Sequence, residues 1–277
     1  MSKKLLSLVL VLALAGMASA ATIQWVGPGA SDPAGAWEDA SNWNGAIAEG
    51  DTVKAYHTSG TQGANITVND TTVNFLKLQN QSWGGACNIE VKSGAVLQLD
   101  GSVEQGKGAY TTLMLIDAGG VVKAAQKFTQ TTGTYKLSSA AGTADVVDIY
   151  GTLQVKGSMA TSDLAVAQGA GAGTGRVYVR GGGLLDVDAY SINGGLNTGG
   201  TAKRGMILIA SGGIMRILGN ATTQVNNDIT AGNIVGLGSN LHVWTKVEGG
   251  QTYTYVPEPA TIALLGLGSL VLLRRKR

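Results

Sequence analysis

Cysteine occurs once in this chain of 277 residues, histidine and phenylalanine twice each, and proline four times. One thiol, Cys87, rules out a disulfide-stapled scaffold and a thiolate metal cluster. It lies in Gly84-Gly85-Ala86-Cys87-Asn88, where it reads as a small, partly buried residue. His57 and His242 stand too far apart for the H-E-x-x-H zinc spacing and read as strand residues. No G-x-S-x-G elbow and no G-x-x-x-x-G-K-[ST] loop occurs, so nucleophile-elbow hydrolysis and P-loop phosphate binding have no sequence support. Charged residues make up 14% of the chain, against about a quarter in an ordinary soluble domain. That scarcity excludes a coiled coil and disorder driven by net charge.

What is abundant is glycine, with 42 residues, about twice the usual share. Between residues 21 and 256 no stretch holds a convincing 3.6-residue apolar period. Val, Ile, Leu and Thr instead alternate in short runs broken by Gly, Asn and Asp, which is the strand-and-turn signal. A unit of strand, glycine turn and strand recurs at 89–99, 113–122, 147–155, 177–187 and 207–217. Its turn glycines, taken as Gly94, Gly119, Gly151, Gly182 and Gly212, are spaced 25, 32, 31 and 30 residues apart. Such a period marks stacked repeats, because one copy cannot bury its own apolar face. The expected fold is all-β, a right-handed parallel β-helix. A β-sandwich is the alternative, since strand-Gly-Gly-strand is also a hairpin signal.

The two ends read differently from this body. Lys3 and Lys4, an apolar run over 5–15 and the small residues Ala18-Ser19-Ala20 form a secretory signal peptide, residues 1–20, with cleavage before Ala21. The alternative is an uncleaved anchor helix. At the C-terminus, Val256-Pro257-Glu258-Pro259 precedes fourteen uncharged residues, 260–273, and then Arg274, Arg275, Lys276 and Arg277. As a helix the uncharged run covers about 21 Å, short of a hydrocarbon core of about 30 Å. The four terminal cations fit the cytoplasmic side and can snorkel toward headgroups. The expectation is a short transmembrane helix over this run. Everything between the cationic ends is then translocated.

The V-P-E-P motif, the glycine-containing apolar run and the R-R-K-R end together resemble the PEP-CTERM sorting signal. Proteins of that family are exported and processed near the motif by a membrane transpeptidase, exosortase. The resemblance covers 256–277 and implies a route: Sec translocon and signal peptidase first, a transient inner-membrane anchor next, then the cell surface or extracellular space. It implies that Pro257, Glu258 and Pro259 form the recognition element, with Arg274, Arg275, Lys276 and Arg277 as the stop signal. At the other end, Trp25-Val26-Gly27 and Trp37 to Trp43, read as W-x-G and W-x-x-x-x-N-W, resemble the start of many secreted, autotransporter-like β-solenoid bodies over roughly 23–80. The domain reading is therefore a signal peptide at 1–20, a solenoid body at 21–256 with a Trp-containing cap at 21–80, and a sorting signal at 257–277.

Removing 1–20 and 257–277 lowers the basic count from 20 to 14 and the acidic count from 18 to 17. The body is then about −3, which leaves no basic stripe for nucleic acid. Trp25, Trp37 and Trp43 read either as an apolar lid on the first rung or as a sugar-stacking platform. Asp186 and Asp188, at i and i+2 on a strand, share one face, with Arg180 a turn away; Asp145 and Asp148 form a second pair. Paired carboxylates can cleave glycosides at separations of about 5–10 Å. Thr129 to Thr134 contains the T-x-T spacing of ice-binding solenoids, but it does not recur at the repeat period. The reading is a non-enzymatic structural or adhesive surface or matrix protein, without cofactor or metal, with extracellular polysaccharide as a candidate partner. The alternatives are a polysaccharide-binding or polysaccharide-degrading β-helix and, further off, an ice binder.

Overall fold

The structure, a computed structural model, describes residues 21–27, 34–47, 51–55, 64–70, 77–80, 86–99, 102–105, 112–125, 135–137, 144–156, 163–166, 174–192, 205–238 and 241–257. The signal-peptide segment, His57, the Thr129–Thr134 stretch and residues 258–277 lie outside them.

The chain winds through three parallel sheets. Its first turns use two of them: β1 (Thr22–Gln24), β2 (Ala34–Ala36), β3 (Thr52–Lys54), β4 (Ala64–Val68) and β5 (Lys77–Asn80). Four full three-strand rungs follow: β6 (Cys87–Val91), β7 (Val96–Leu99) and β8 (Ser102–Gln105); β9 (Thr112–Ile116), β10 (Val121–Ala125) and β11 (Tyr135–Leu137); β12 (Ala144–Ile149), β13 (Thr152–Lys156) and β14 (Asp163–Val166); β15 (Thr174–Val179), β16 (Leu184–Val187) and β17 (Ala189–Ile192). A fifth begins with β18 (Gly205–Ile209) and β19 (Ile214–Leu218), then passes into a helix, α1 (Thr222–Thr230). β20 (Ile234–Gly236), β21 (Trp244–Glu248) and β22 (Gln251–Tyr255) close the body.

The sheets run β1-β3-β5-β8-β11-β14-β17, β7-β10-β13-β16-β19-β22-β21 and β2-β4-β6-β9-β12-β15-β18-β20. Each strand pairs in parallel with its counterpart one rung away, as in Val91 with Ile116 and Ile149 with Val179. This is a β-solenoid. A sandwich is excluded, because the strands flanking each glycine turn belong to different sheets. Antiparallel strand pairing, among the described strands, is confined to β19-β22-β21.

Strand alternation fixes which side chains go in. Ile66, Ile89, Met114, Val147, Val177, Ile207 and Ile234 stack as one interior column, all at most 1% exposed. Leu97, Val122, Leu153, Leu185 and Met215 form a second column, in the neighbouring sheet. Each such burial contributes about 1.5–3 kcal/mol before entropy is counted.

Register corrects the glycine alignment. Gly94, Gly119, Gly182 and Gly212 have φ near +80°, at the third position of four-residue turns closed by bonds such as Ala95 N to Lys92 O, 3.0 Å. Gly151 does not belong with them. Its turn is two residues shorter, and Thr152 pairs with Val121 and Leu184, so Gly151 aligns with Ala95, Gly120, Gly183 and Gly213. In that second column glycine answers to space. A Cβ on Gly151 would sit 2.1 Å from the Gly120 carbonyl oxygen, and one on Gly183 would sit 2.2 Å from that of Ile149. Ala95 takes the same place in the turn before β7, the first of the described strands in its sheet.

The ends differ from the middle. Trp25, Trp37 and Trp43 are buried in edge-to-face contacts with centroids 4.8–4.9 Å apart, and Trp43 Nε1 donates to Trp37 O at 2.8 Å. At the other end stands α1, which the strand-like composition of 21–256 did not foretell. Only Val225 of it is buried. Its Asp228 accepts from the Tyr190 hydroxyl at 2.8 Å, and Gln224 donates to Tyr190 O at 2.9 Å. The helix thus sits where its sheet would otherwise continue past β17.

Candidate functional site

The sorting motif leaves the body from the end of β22. Val256 is 2% exposed and bridges in parallel to Ser211. Gly212 N donates to Val256 O at 3.4 Å, and Ser211 Oγ to Pro257 O at 3.5 Å. The chain is therefore held by the last glycine turn up to Pro257. Glu258, Pro259 and the basic tail Arg274, Arg275, Lys276 and Arg277 lie outside the described residues, as do Ala18 and Ala20 of the signal-peptidase site. Ala21 is described: its N donates to Asp51 Oδ1 at 2.9 Å.

Beside Pro257 the outer face of the last three strands forms a grid set by register. One row holds Ile214, Tyr255 and Trp244; the next holds Arg216, Tyr253 and Lys246; the third holds Leu218, Gln251 and Glu248. Ile214 and Trp244 are 38% and 46% exposed. Lys246 Nζ lies 5.3 Å from the Tyr253 ring centroid and 2.7 Å from Glu248 Oε2. A cleft of about 440 Å³ runs between Ile214, Lys246, Tyr253, Tyr255 and Pro257. Sequence reading missed this surface. Trp244, Tyr253 and Tyr255 carry alternating aromatics, but only the antiparallel register places all three on one side.

Of the carboxylate candidates, Asp148, Asp186 and Asp188 are each ion-paired, and the side chain of Asp145 lies outside the described ones. Asp186 is 1% exposed although it points outward, because long side chains cover it. Arg216 Nη2 and Lys156 Nζ each lie 2.7 Å from its oxygens, Arg216 Nε donates at 3.1 Å, and Gln154 Nε2 at 3.3 Å. Burial opposes its ionisation, but the hydrogen bonds from Arg216 and Lys156 outweigh that and hold the carboxyl below its ordinary value. Asp188 shares Lys156, at 3.0 Å. Arg180 joins neither. It binds Asp148 at 2.6 and 2.9 Å and lies over Tyr178, 4.7 Å from the ring centroid. A carboxyl held ionised by two cations is a poor proton donor, which the glycosidase arrangement requires. The partner of Asp186 was readable in principle: Gln154, Asp186 and Arg216 each stand three residues after an aligned glycine.

Trp25, Trp37 and Trp43 are 0%, 2% and 5% exposed, which leaves little ring surface for a sugar to stack on. His242 is exposed and precedes β21 rather than lying in a strand. Cys87 is buried against Ala55 O, and burial pushes its thiol up, away from reactivity. Among the described residues there is no metal-binding cluster of His, Cys, Asp and Glu, and no helix is long and apolar enough to cross a membrane.

Comparison with known proteins gives one match, confined to the C-terminus: residues 256–277 fit the family described as the PEP-CTERM protein-sorting motif. No curated protein and no solved structure matches the chain. The chain thus carries a PEP-CTERM protein-sorting motif at residues 256–277, joined directly to the last strand of a β-solenoid.

Proposed function

We propose that this chain is an exported, non-enzymatic structural or adhesive protein of the cell surface or extracellular matrix. The PEP-CTERM motif implies export and processing by an exosortase, a membrane enzyme. The finer route is Sec export, removal of 1–20 by signal peptidase, a transient inner-membrane anchor over 260–273, then transfer near Pro257, Glu258 and Pro259. Arg274, Arg275, Lys276 and Arg277 hold the tail on the cytoplasmic side until that step.

The observation that carries this reading is the join between body and motif. A solenoid whose two ends are closed differently hands its last strand straight to the sorting segment. Eight strands in the longest sheet make a body about 34 Å long at about 4.8 Å per rung. Such a body works as a spacer or adhesive unit without a catalytic cleft. The neutralisation of Asp186 by Arg216 and Lys156 supports the same reading over the polysaccharide-degrading one.

The test is to incubate the purified protein with the extracellular polysaccharide of the producing cells and to measure both co-sedimentation and new reducing ends. Retention on the polymer without new reducing ends is expected. Release of reducing ends, abolished in Asp186→Asn/Asp188→Asn, overturns the non-enzymatic reading. Protein that stays wholly in the supernatant overturns the adhesive one.

A further inference from the structure

We propose that the outer face of β19-β22-β21, built on Trp244, Tyr255, Tyr253, Lys246 and Ile214, docks on the phospholipid headgroup layer of the membrane that holds the unprocessed chain. The proposal rests on the membrane anchor of the preceding section. It is argued from where the chain goes next. Pro257 lines the same cleft as Ile214, Lys246, Tyr253 and Tyr255. The uncharged run begins at residue 260, and three residues span at most about 11 Å. Once that run enters a bilayer, Pro257 and the cleft it lines are tethered within about 11 Å of it.

The chemistry of the face fits that position. Tryptophan and tyrosine gather at membrane–water interfaces, where an apolar ring and a polar edge are both satisfied, and lysine reaches headgroups from there. Trp244 stands 46% exposed beside Tyr255, its directly paired neighbour, whereas Trp25, Trp37 and Trp43 are buried. The face is not a basic patch: Arg216 is paired with Asp186 and Lys246 with Glu248. Its attraction is therefore interfacial, and contact does not depend on the share of anionic lipid.

The experiment uses the full chain reconstituted in phosphatidylethanolamine/phosphatidylglycerol vesicles, with and without brominated acyl chains. Flotation with the vesicles reports the anchor; tryptophan quenching reports the face. The expected result is flotation, with quenching that Trp244→Phe largely removes and that is unchanged when phosphatidylglycerol is varied. Flotation with quenching that Trp244→Phe leaves intact overturns the docking face and spares the anchor. Failure to float overturns the anchor reading and, with it, the docking. Trp244 emission that responds to soluble polysaccharide but not to brominated lipid overturns the proposal and makes the face a sugar site.

A second, independent observation concerns the other end. Ala21 N lies 2.9 Å from the carboxylate of Asp51, which is 5% exposed, while Thr52 N donates to Ala21 O at 2.9 Å. In the precursor this nitrogen is an amide. Cleavage before Ala21 turns it into an α-ammonium, and the structure assigns Asp51 as its receptor, so that removal of the signal peptide converts a hydrogen bond into a partly buried ion pair. Signal-peptide removal then tightens β1 against β3. N-terminal sequencing of the exported protein reports the cleavage point, and urea midpoints of Asp51→Asn in precursor and mature forms report the pair. A larger loss in the mature form is expected. Equal losses overturn the ion pair; a mature N-terminus other than Ala21 overturns the site.

Discussion

The two ends of this solenoid face the same problem and meet it with the same residue type used in opposite ways. At the N-terminal end three tryptophans are folded inward and fill the first turns. At the C-terminal end an antiparallel hairpin and α1 stop the stacking, and Trp244 is left outside. An open strand edge invites further pairing, so both ends need closure. The first is closed by bulk. The second is closed by reversing strand direction, which leaves an aromatic outer face next to the sorting motif. Among the described tryptophans, Trp25, Trp37 and Trp43 are core and Trp244, placed on the outer face by the register of β21, is exposed, a difference that sequence neighbourhood does not show.

That contrast can be broken or sharpened by substitution. The largest effect should come from Trp25→Ala, which empties a fully buried site and should cost about 4 kcal/mol in urea unfolding. Trp244→Ala should cost about 1 kcal/mol or less by the same measurement, because nearly half of the residue is already exposed. Equal losses at the two positions would erase the distinction between the ends.

Next in size is the middle of the body. Gly183→Ala forces a Cβ into the Ile149 carbonyl and should cost about 3 kcal/mol, whereas Ala95→Gly at the start of the same column should cost about 1 kcal/mol. Asp186→Asn should cost about 2 kcal/mol at neutral pH, discounted because Lys156 and Arg216 remain about 30% exposed. The sign follows from the lowered carboxyl. Its stabilisation is present above the unfolded value of about 3.9 and disappears as pH falls through the folded one. The difference between wild type and Asp186→Asn should therefore vanish in acid, and one that persisted at pH 2 would assign the cost to packing instead. Below Asp186→Asn comes Tyr190→Phe, which removes the bond to Asp228 at about 1 kcal/mol and should loosen α1, read as faster amide exchange in 222–230.

Much of the fold was legible because period and composition agree. Glycine every 30 residues or so, with alternating Val, Ile and Leu between, leaves few ways to bury both strands of a unit. The alignment slipped at Gly151 because sequence shows a glycine without showing whether it answers to positive φ or to lack of space. α1 was hidden because Thr222–Thr230 is polar, with Val225 alone buried, and its helicity depends on contacts with Tyr190. The sorting motif was fully legible, since its signal is linear. The face beside it was not: Trp244 and Tyr255 meet only through an antiparallel pairing that breaks the parallel pattern of the rest. The ion pairs of Asp186 were hidden for a related reason, as its neighbours in space, Lys156 and Arg216, come one rung before and one rung after.

The most direct test of sorted export is the C-terminus of the mature protein, read by mass spectrometry in each cell fraction. The account predicts that the surface or extracellular form ends near Pro257–Pro259 and lacks the residues from 260 onward. A chain that still ends in Arg277 in every fraction would contradict it.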